Sequence, residues 1–234
     1  MTATQQNSRT WHFLRSAPAP AAWNMAVDEA LLAEAARLGR PILRFYSWTE
    51  PAATFGYFQK HEEIERLTLL RPIVRRVTGG GLVPHDADWT YSLVAPGGHE
   101  WYALKATESY ERIHEWIRSA FSRLGIAMEL APCCRKDAPG QCFIGYEKSD
   151  VLWHGKKVAG AAQRRTKEGL LIQGSVQPPP LQIDRSKWEE AMLEVAVSEQ
   201  GVDWIKLEPS TETIASADIL AGQKYSQLSH NQRR

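Results

Sequence analysis

The apolar positions along the chain follow two rhythms. In NMAVDEALLAEAAR, from Asn24 to Arg37, Val27, Leu31 and Ala35 recur every four residues, which predicts an amphipathic helix ending near Gly39. Tyr110, Ile113, Ile117, Phe121 and Leu124 step by three and four, predicting a second helix that Gly125 stops. Short β-branched and aromatic runs predict strands at 42–48, 52–58, 73–78, 89–94 and 170–176. DVLWHGKKVAGAAQ reads as two strands turning at His154-Gly155. Breakers and charges make 131–141 a loop, Pro178 to Pro180 end the sheet region, and the tail predicts helices near 185–197 and 211–222. This order predicts an α+β fold with a mixed, mostly antiparallel sheet flanked by helices, not a doubly wound one.

Composition narrows the class. The 234 residues suit one domain, 1–234, with a core over about 20–180 and a helical tail over 181–234. A net charge of +1 gives no global field for nucleic acid or an anionic membrane. No run approaches the roughly 18 apolar residues of a membrane span, and MTATQQNSRTWHF has no signal-peptide core. Three cysteines, two of them adjacent, make a poor disulfide framework, so the expectation is free thiols in a reducing, cytoplasmic compartment. The seven histidines show no metal-ligand spacing, and no metal is expected.

Two segments carry the candidate chemistry. In RRVTGGGLVPHD, three glycines between hydrophobic strands cost backbone entropy. Close approach of bare N–H groups to a ligand carbonyl or phosphate would offset it. Adjacent on a strand, Arg75 and Arg76 cannot both face such a site. The plainer reading is a glycine-rich turn with solvated arginines; a P-loop is excluded because no GK[ST] follows. In GKKVAGAAQ, the small residues 159–162, Gly160 and Ala161 among them, leave a thin strand face for a ligand or another backbone. Lys156 and Lys157 point to opposite faces, and parity alone does not say which enters a cleft. An exposed basic hairpin is the other reading.

Together these segments resemble the lipoate–protein ligase and octanoyltransferase family, whose catalytic domain is shared with biotin–protein ligases. The matching stretches are NMAVDEALL at 24–32, RFYSWTEPAATFGYFQ at 44–59, RRVTGGGLVPHDADWTYSLV at 75–94, GKKVAGAAQRR at 155–165, QGSV at 173–176 and AGQKYS at 221–226. They span about 200 residues in one order. The resemblance implies that fold, an acyl-binding loop formed by Arg76 and Gly79, Gly80 and Gly81, and a site lysine at Lys157 that holds the acyl carbonyl oxygen and stabilises charge developing there. His85 falls on the family's His-Asp pair, where a hydrogen bond to the turn is expected rather than proton transfer.

The family contains ATP-dependent ligases and transferases that pass the acyl group through a cysteine thioester. One transferase branch resembles this chain in a Cys-Phe pair upstream of the GKK strand, here Cys142-Phe143. Cys142 is therefore the expected nucleophile, and a nearby cation such as Lys157 favours the attacking thiolate. Taken alone, Cys142 would read as a buried strand cysteine. Cys133 and Cys134 have no matched role. Ligases of the family commonly carry a further domain or partner chain, and the 58 residues after Val176 are few for one, so a stand-alone ligase is not expected.

Where relatives have His-Gly, this chain has Gln173-Gly174, which keeps hydrogen bonding but cannot titrate. If that position supports deprotonation of the acceptor lysine, activity falls; if it orients neighbours, the change is benign. An octanoyl tail offers roughly 0.8 kcal/mol per CH₂, about 5–6 kcal/mol, or a Kd of order 100 μM. Recognition should therefore also use carriers: an acyl carrier protein as donor, and a lipoyl-domain protein of glycine-cleavage H or 2-oxoacid dehydrogenase type as acceptor. Arg164, Arg165 and Lys167 would form a basic rim for an acidic carrier, or simply a solvated strand end. No cofactor is expected of the transferase; a ligase, needing a partner subunit, would use ATP and Mg²⁺. A non-catalytic acyl or carrier-binding module is the third possibility.

Overall fold

A computed structural model describes residues 9–135 and 140–233. Its frame is a sheet whose two faces differ, because alternate residues of each strand go to opposite sides. The strands in chain order are β1 (Thr10–Arg15), β2 (Ile42–Tyr46), β3 (Ala52–Phe55), β4 (Ile73–Arg75), β5 (Val83–His85), β6 (Trp89–Pro96), β7 (Glu129–Leu130), β8 (Val151–Trp153), β9 (Lys156–Arg165), β10 (Gly169–Val176) and β11 (Asp203–Lys206). Eight form the main sheet in the order β11-β1-β2-β6-β10-β9-β8-β7, and a small sheet runs β4-β3-β5. β1 pairs in parallel with β2 and β11, β3 in parallel with β4, and the remaining ladders are antiparallel. This is the mixed, mostly antiparallel α+β arrangement expected.

The longer helices are α1 (Ala21–Leu38), α4 (Ala106–Arg123), α5 (Arg185–Gln200) and α6 (Thr211–Leu220); α2 (His61–Glu65), α3 (Glu100–Ala103) and α7 (Leu228–Asn231) are short. The predicted stops hold: Gly39 caps α1 at φ 63°, its N–H donating to the Ala35 carbonyl. α4 and α5 bury their apolar stripes against Leu43, Phe45, Tyr91, Leu93, Leu170 and Ile172 on one sheet face. On the other face, α1 packs over Ile42, Tyr46, Val94 and Leu171, and α6 packs against α1.

Two expectations need correction. The chain outside 20–180 also supplies strands: β1 precedes α1, and β11 follows α5 and adds in parallel to β1, so the tail is not helical throughout. Such edge pairing is set by a partner nearly 200 residues away and leaves no local period. The strands foreseen at 52–58 and 73–78 stop at Phe55 and Arg75. Beyond them the segments cross so closely that a Cβ on Gly56 would lie 1.9 Å from the Gly80 carbonyl oxygen. Part of the loop foreseen at 131–141 lies outside the described residues.

Candidate functional site

Cys142 sits on a turn, partly exposed, rather than in a buried strand. Two backbone bonds fix it: Leu82 N–H donates to the Gly140 carbonyl at 2.8 Å, and Cys142 N–H to the Leu82 carbonyl at 3.1 Å. The lacing requires glycine at 81, where a Cβ would come within 2.7 Å of the Gly140 oxygen. With the two segments so close, Gly81 N–H donates to Cys142 Sγ at 3.0 Å. This glycine amide, expected to face a ligand, instead holds the sulfur.

Arg76 explains how the loop keeps its shape. It is buried and donates to Thr54 Oγ1 and to the Gly79 and Gly81 carbonyls, each at 2.9 Å. Burial lowers its pKa, opposed by attraction to Cys142. Arg76 is thus a buried, loop-holding cation. The alternation of Arg75 and Arg76 holds, but neither is solvated. Arg75 turns the other way, donating to the carbonyls of Tyr57, Gln59, His230, Asn231 and Arg233, so it anchors the tail.

Lys157 is the lysine that turns inward, while Lys156 is exposed. The Lys157 ammonium pairs with Asp150 Oδ2 at 2.6 Å, the two side chains 7% and 5% exposed, and lies 5.3 Å from the centre of the Phe143 ring. Asp150 also accepts from Glu147 N–H at 2.7 Å. Burial pushes the Asp150 carboxyl up, and Lys157 pulls it back. Beside the pair, buried His114 is held at a pKa of about 3, by burial first and then by Lys157. Burial also raises the Tyr91 phenol, with the Asp150 charge adding to the effect.

Two clefts meet at these residues. A narrow one is lined by Cys142, Phe143 and Lys157, by Gly160, Ala161 and Ala162 of β9, and by Met25, Val83, His85 and Gln173 deeper in. Its largely apolar lining suits a ligand with a hydrocarbon body. A wider one of about 450 Å³ is lined by Tyr110, His114, Arg135, Glu147, Lys148 and Asp150. Cys142, Lys157, Ala161 and Ala162 belong to both. The thiol therefore stands on the wall between an apolar slot and a wider, more polar cleft.

Below the slot lies a buried polar network. Gln173 donates to Asp28 Oδ2 at 2.8 Å and accepts from the Thr78 hydroxyl at 2.7 Å. Asp28 also accepts from Arg44 at 2.7 Å, Ser92 at 2.7 Å and Tyr46 at 3.0 Å. Both oxygens of this fully buried carboxylate are thus used, and Gln173 ties it to the residue before the glycine run. This geometry gives Gln173 an orienting part. His85, on β5, bridges Asp88 Oδ2 at 2.8 Å and Thr54 Oγ1 at 2.7 Å, and stacks on Trp48 with centroids 3.9 Å apart. The predicted bond to the turn is present, on a strand rather than a loop.

The basic rim is not a single surface. Arg164 reaches the Val77 carbonyl and the face of Tyr57, whereas Arg165 reaches toward Ser109 and Tyr102, and only Lys167 stands out in solvent. Cys133 and Cys134 are exposed. Among the described residues, no group of three or more His, Cys, Asp or Glu could hold a metal ion, and no helix is long and apolar enough to cross a membrane. Sequence reasoning missed Asp28 and Asp150. Asp28 had a signal: with Asn24 it shares the stripe of Leu31 and Ala35, and a carboxylate on an apolar stripe implies a buried partner. Asp150 had none.

The family described as the lipoyl protein ligase A/B catalytic domain matches residues 20–190. Octanoyltransferase LipM of Carboxydothermus hydrogenoformans is 38% identical over 175 residues, 71% of this chain and 64% of its own length. The chain thus spans under two thirds of that relative. Among solved structures, a lipoate-protein ligase A bound with ATP superposes with a TM-score of 0.80 at 20% identity, covering 95% of this chain and 98% of the other. A bipartite lipoate protein ligase from Thermoplasma acidophilum, studied with its E2 lipoyl domain, superposes with a TM-score of 0.74 at 21% identity, covering 95% and 96%. These likenesses place the fold.

Proposed function

The chain belongs to the lipoyl protein ligase A/B catalytic-domain family, and from that we propose that it is an acyltransferase of protein lipoylation which carries an octanoyl group as a thioester on Cys142. The observation that carries this reading is the position of Cys142 on the wall shared by the two clefts, its sulfur held by Gly81 N–H. The apolar slot takes the acyl chain. The wider cleft takes the arm of the donor, an acyl carrier protein, and later the lysine of a lipoyl-domain acceptor of glycine-cleavage H or 2-oxoacid dehydrogenase type.

In the first half-reaction the Cys142 thiolate attacks the donor's thioester carbonyl carbon. The new C–S bond forms, the donor C–S bond breaks, and the carrier thiol leaves with a proton. In the second, the acceptor's neutral amine attacks the Cys142 thioester carbon. The amide C–N bond forms, the Cys142 C–S bond breaks, and the amine proton passes to the departing sulfur or to solvent. Both tetrahedral intermediates carry an oxyanion, which the Lys157 ammonium stabilises from the same wall. Arg76 and Gly79 to Gly81 keep the sulfur aimed. No nucleotide or metal enters these steps, and a free thiol nucleophile suits a reducing cytoplasm.

Intact mass spectrometry after incubation with octanoyl-acyl carrier protein, without ATP, tests the reading. One hydroxylamine-labile octanoyl adduct on the wild type, absent from Cys142→Ala, is expected. No adduct from a donor that a known transferase accepts overturns it. Acceptor modification that requires lipoate, ATP and Mg²⁺ would then mark a ligase, and carrier binding without turnover a non-catalytic module.

A further inference from the structure

Lys157 does not reach the wall of the two clefts unaided. Ser149, just before Asp150, takes a positive φ of 70°, unusual for a residue with a side chain. Two further backbone bonds hold the bend, Ser149 N–H to the Ala131 carbonyl and Ala131 N–H to the Asp150 carbonyl, each at 2.8 Å. Glu147 N–H then fixes Asp150 Oδ2, the oxygen that pairs with Lys157. On the other side, Gly160 leaves the floor bare. A Cβ there would lie 2.6 Å from Lys157 Cε, 2.7 Å from its Nζ and 3.1 Å from Asp150 Oδ1. The pair therefore lies flat across β9 in space that only glycine leaves open.

We propose that Asp150 is the positioning residue of the acyl transfer: it holds the Lys157 ammonium, over the bare Cα of Gly160, at the place where the oxyanion forms. This rests on the reading of Cys142 as the acylated thiol. The surroundings leave the task to one carboxylate. From α4, His114 is neutral at working pH and Tyr110 is kept protonated by burial; from β6, Tyr91 is too. Cys142 and Phe143 face the pair from the turn, while Glu147 and Lys148 line the outer cleft. Among the described residues, Asp150 alone is within ion-pair distance of Lys157. An ammonium buried without its counter-charge gives up its proton more readily, and one displaced by an ångström loses much of its effect.

The test compares wild type, Asp150→Asn, Gly160→Ala, Lys157→Met and Asp150→Asn/Lys157→Met in single-turnover octanoylation of Cys142, from pH 6 to 9, with melting temperatures recorded. Asp150→Asn should lower the acylation rate up to about 100-fold and move the alkaline limb of the profile to lower pH. Gly160→Ala, which keeps both charges but displaces the ammonium, should slow acylation similarly. On the Lys157→Met background, Asp150→Asn should add nothing, because Asp150 acts through the lysine. An equal fall on both backgrounds, or an Asp150→Asn profile matching the wild type, overturns the proposal while leaving the Cys142 reading intact. Absence of an adduct on the wild type overturns both.

Discussion

The two faces of the main sheet are built from alternate residues of the same strands, yet they differ in how much buried polar chemistry they hold. On one face Phe45, Tyr91 and Leu93 meet Trp116, Phe121 and Trp188 from α4 and α5, in an aromatic core. On the other, Arg44, Ser92 and Gln173 converge on Asp28, and Thr90 and Ser175 on Asp88. Burying area stabilises the first face without demanding particular partners. The second face gains little net stability from its ion pair and hydrogen bonds, but each group needs its partner in place. The difference teaches a division of labour: the aromatic face is held mainly by packing, while the polar network on the second face ties together the elements around the slot.

Removing Asp28 should break this division most severely. Asp28→Ala leaves the Arg44 guanidinium, 1% exposed, without its carboxylate and should cost about 3–5 kcal/mol. Because Gln173 and Thr78 lose their anchor, Cys142 acylation should fall as well. Urea denaturation and the acylation assay measure the two. A stable variant acylating at the wild-type rate would refute the role given to the polar face. Trp188→Phe sharpens the comparison from the other side. Its indole N–H is buried and has no hydrogen-bond partner among the described residues, so the change removes volume without breaking a bond. A cost of about 1–2 kcal/mol with unchanged acylation is expected; a loss of activity larger than the loss of stability would mean that packing around Trp188 also shapes the site.

At pH 7, His114 provides the smallest effect. Its folded pKa of about 3 lies below the unfolded value of about 6.5. Its contribution is therefore present above pH 6.5 and fades as pH falls toward 3, because the unfolded chain takes up a proton that the folded one refuses. Stability should decline by up to about 1.4 kcal/mol per pH unit in that window. His114→Phe should flatten the decline while barely changing stability at pH 7. Urea midpoints at pH 7, 5.5 and 4.5 decide it, and parallel slopes for the two proteins would remove His114 from the account.

Several features followed from the sequence alone. The helical stripes of α1 and α4, the stops at Gly39 and Gly125, the hairpin at His154-Gly155 and the strand over 170–176 are local, and a period of four or two residues is enough to write them. The runs around Gly79 to Gly81 and Lys156-Lys157 were legible as local patterns, whereas Cys142 and the choice of Lys157 came from the family resemblance. Tertiary structure decided the partners. Asp28 meets Gln173 across 145 positions and Gly81 meets Cys142 across 61, and β1 meets β11 from nearly opposite ends of the chain. Such contacts have no period to betray them. It also turned the glycine amide at 81 toward the sulfur and Lys157 toward Asp150, because a buried donor or charge goes to whichever partner packing brings within reach, and only the folded chain specifies that partner.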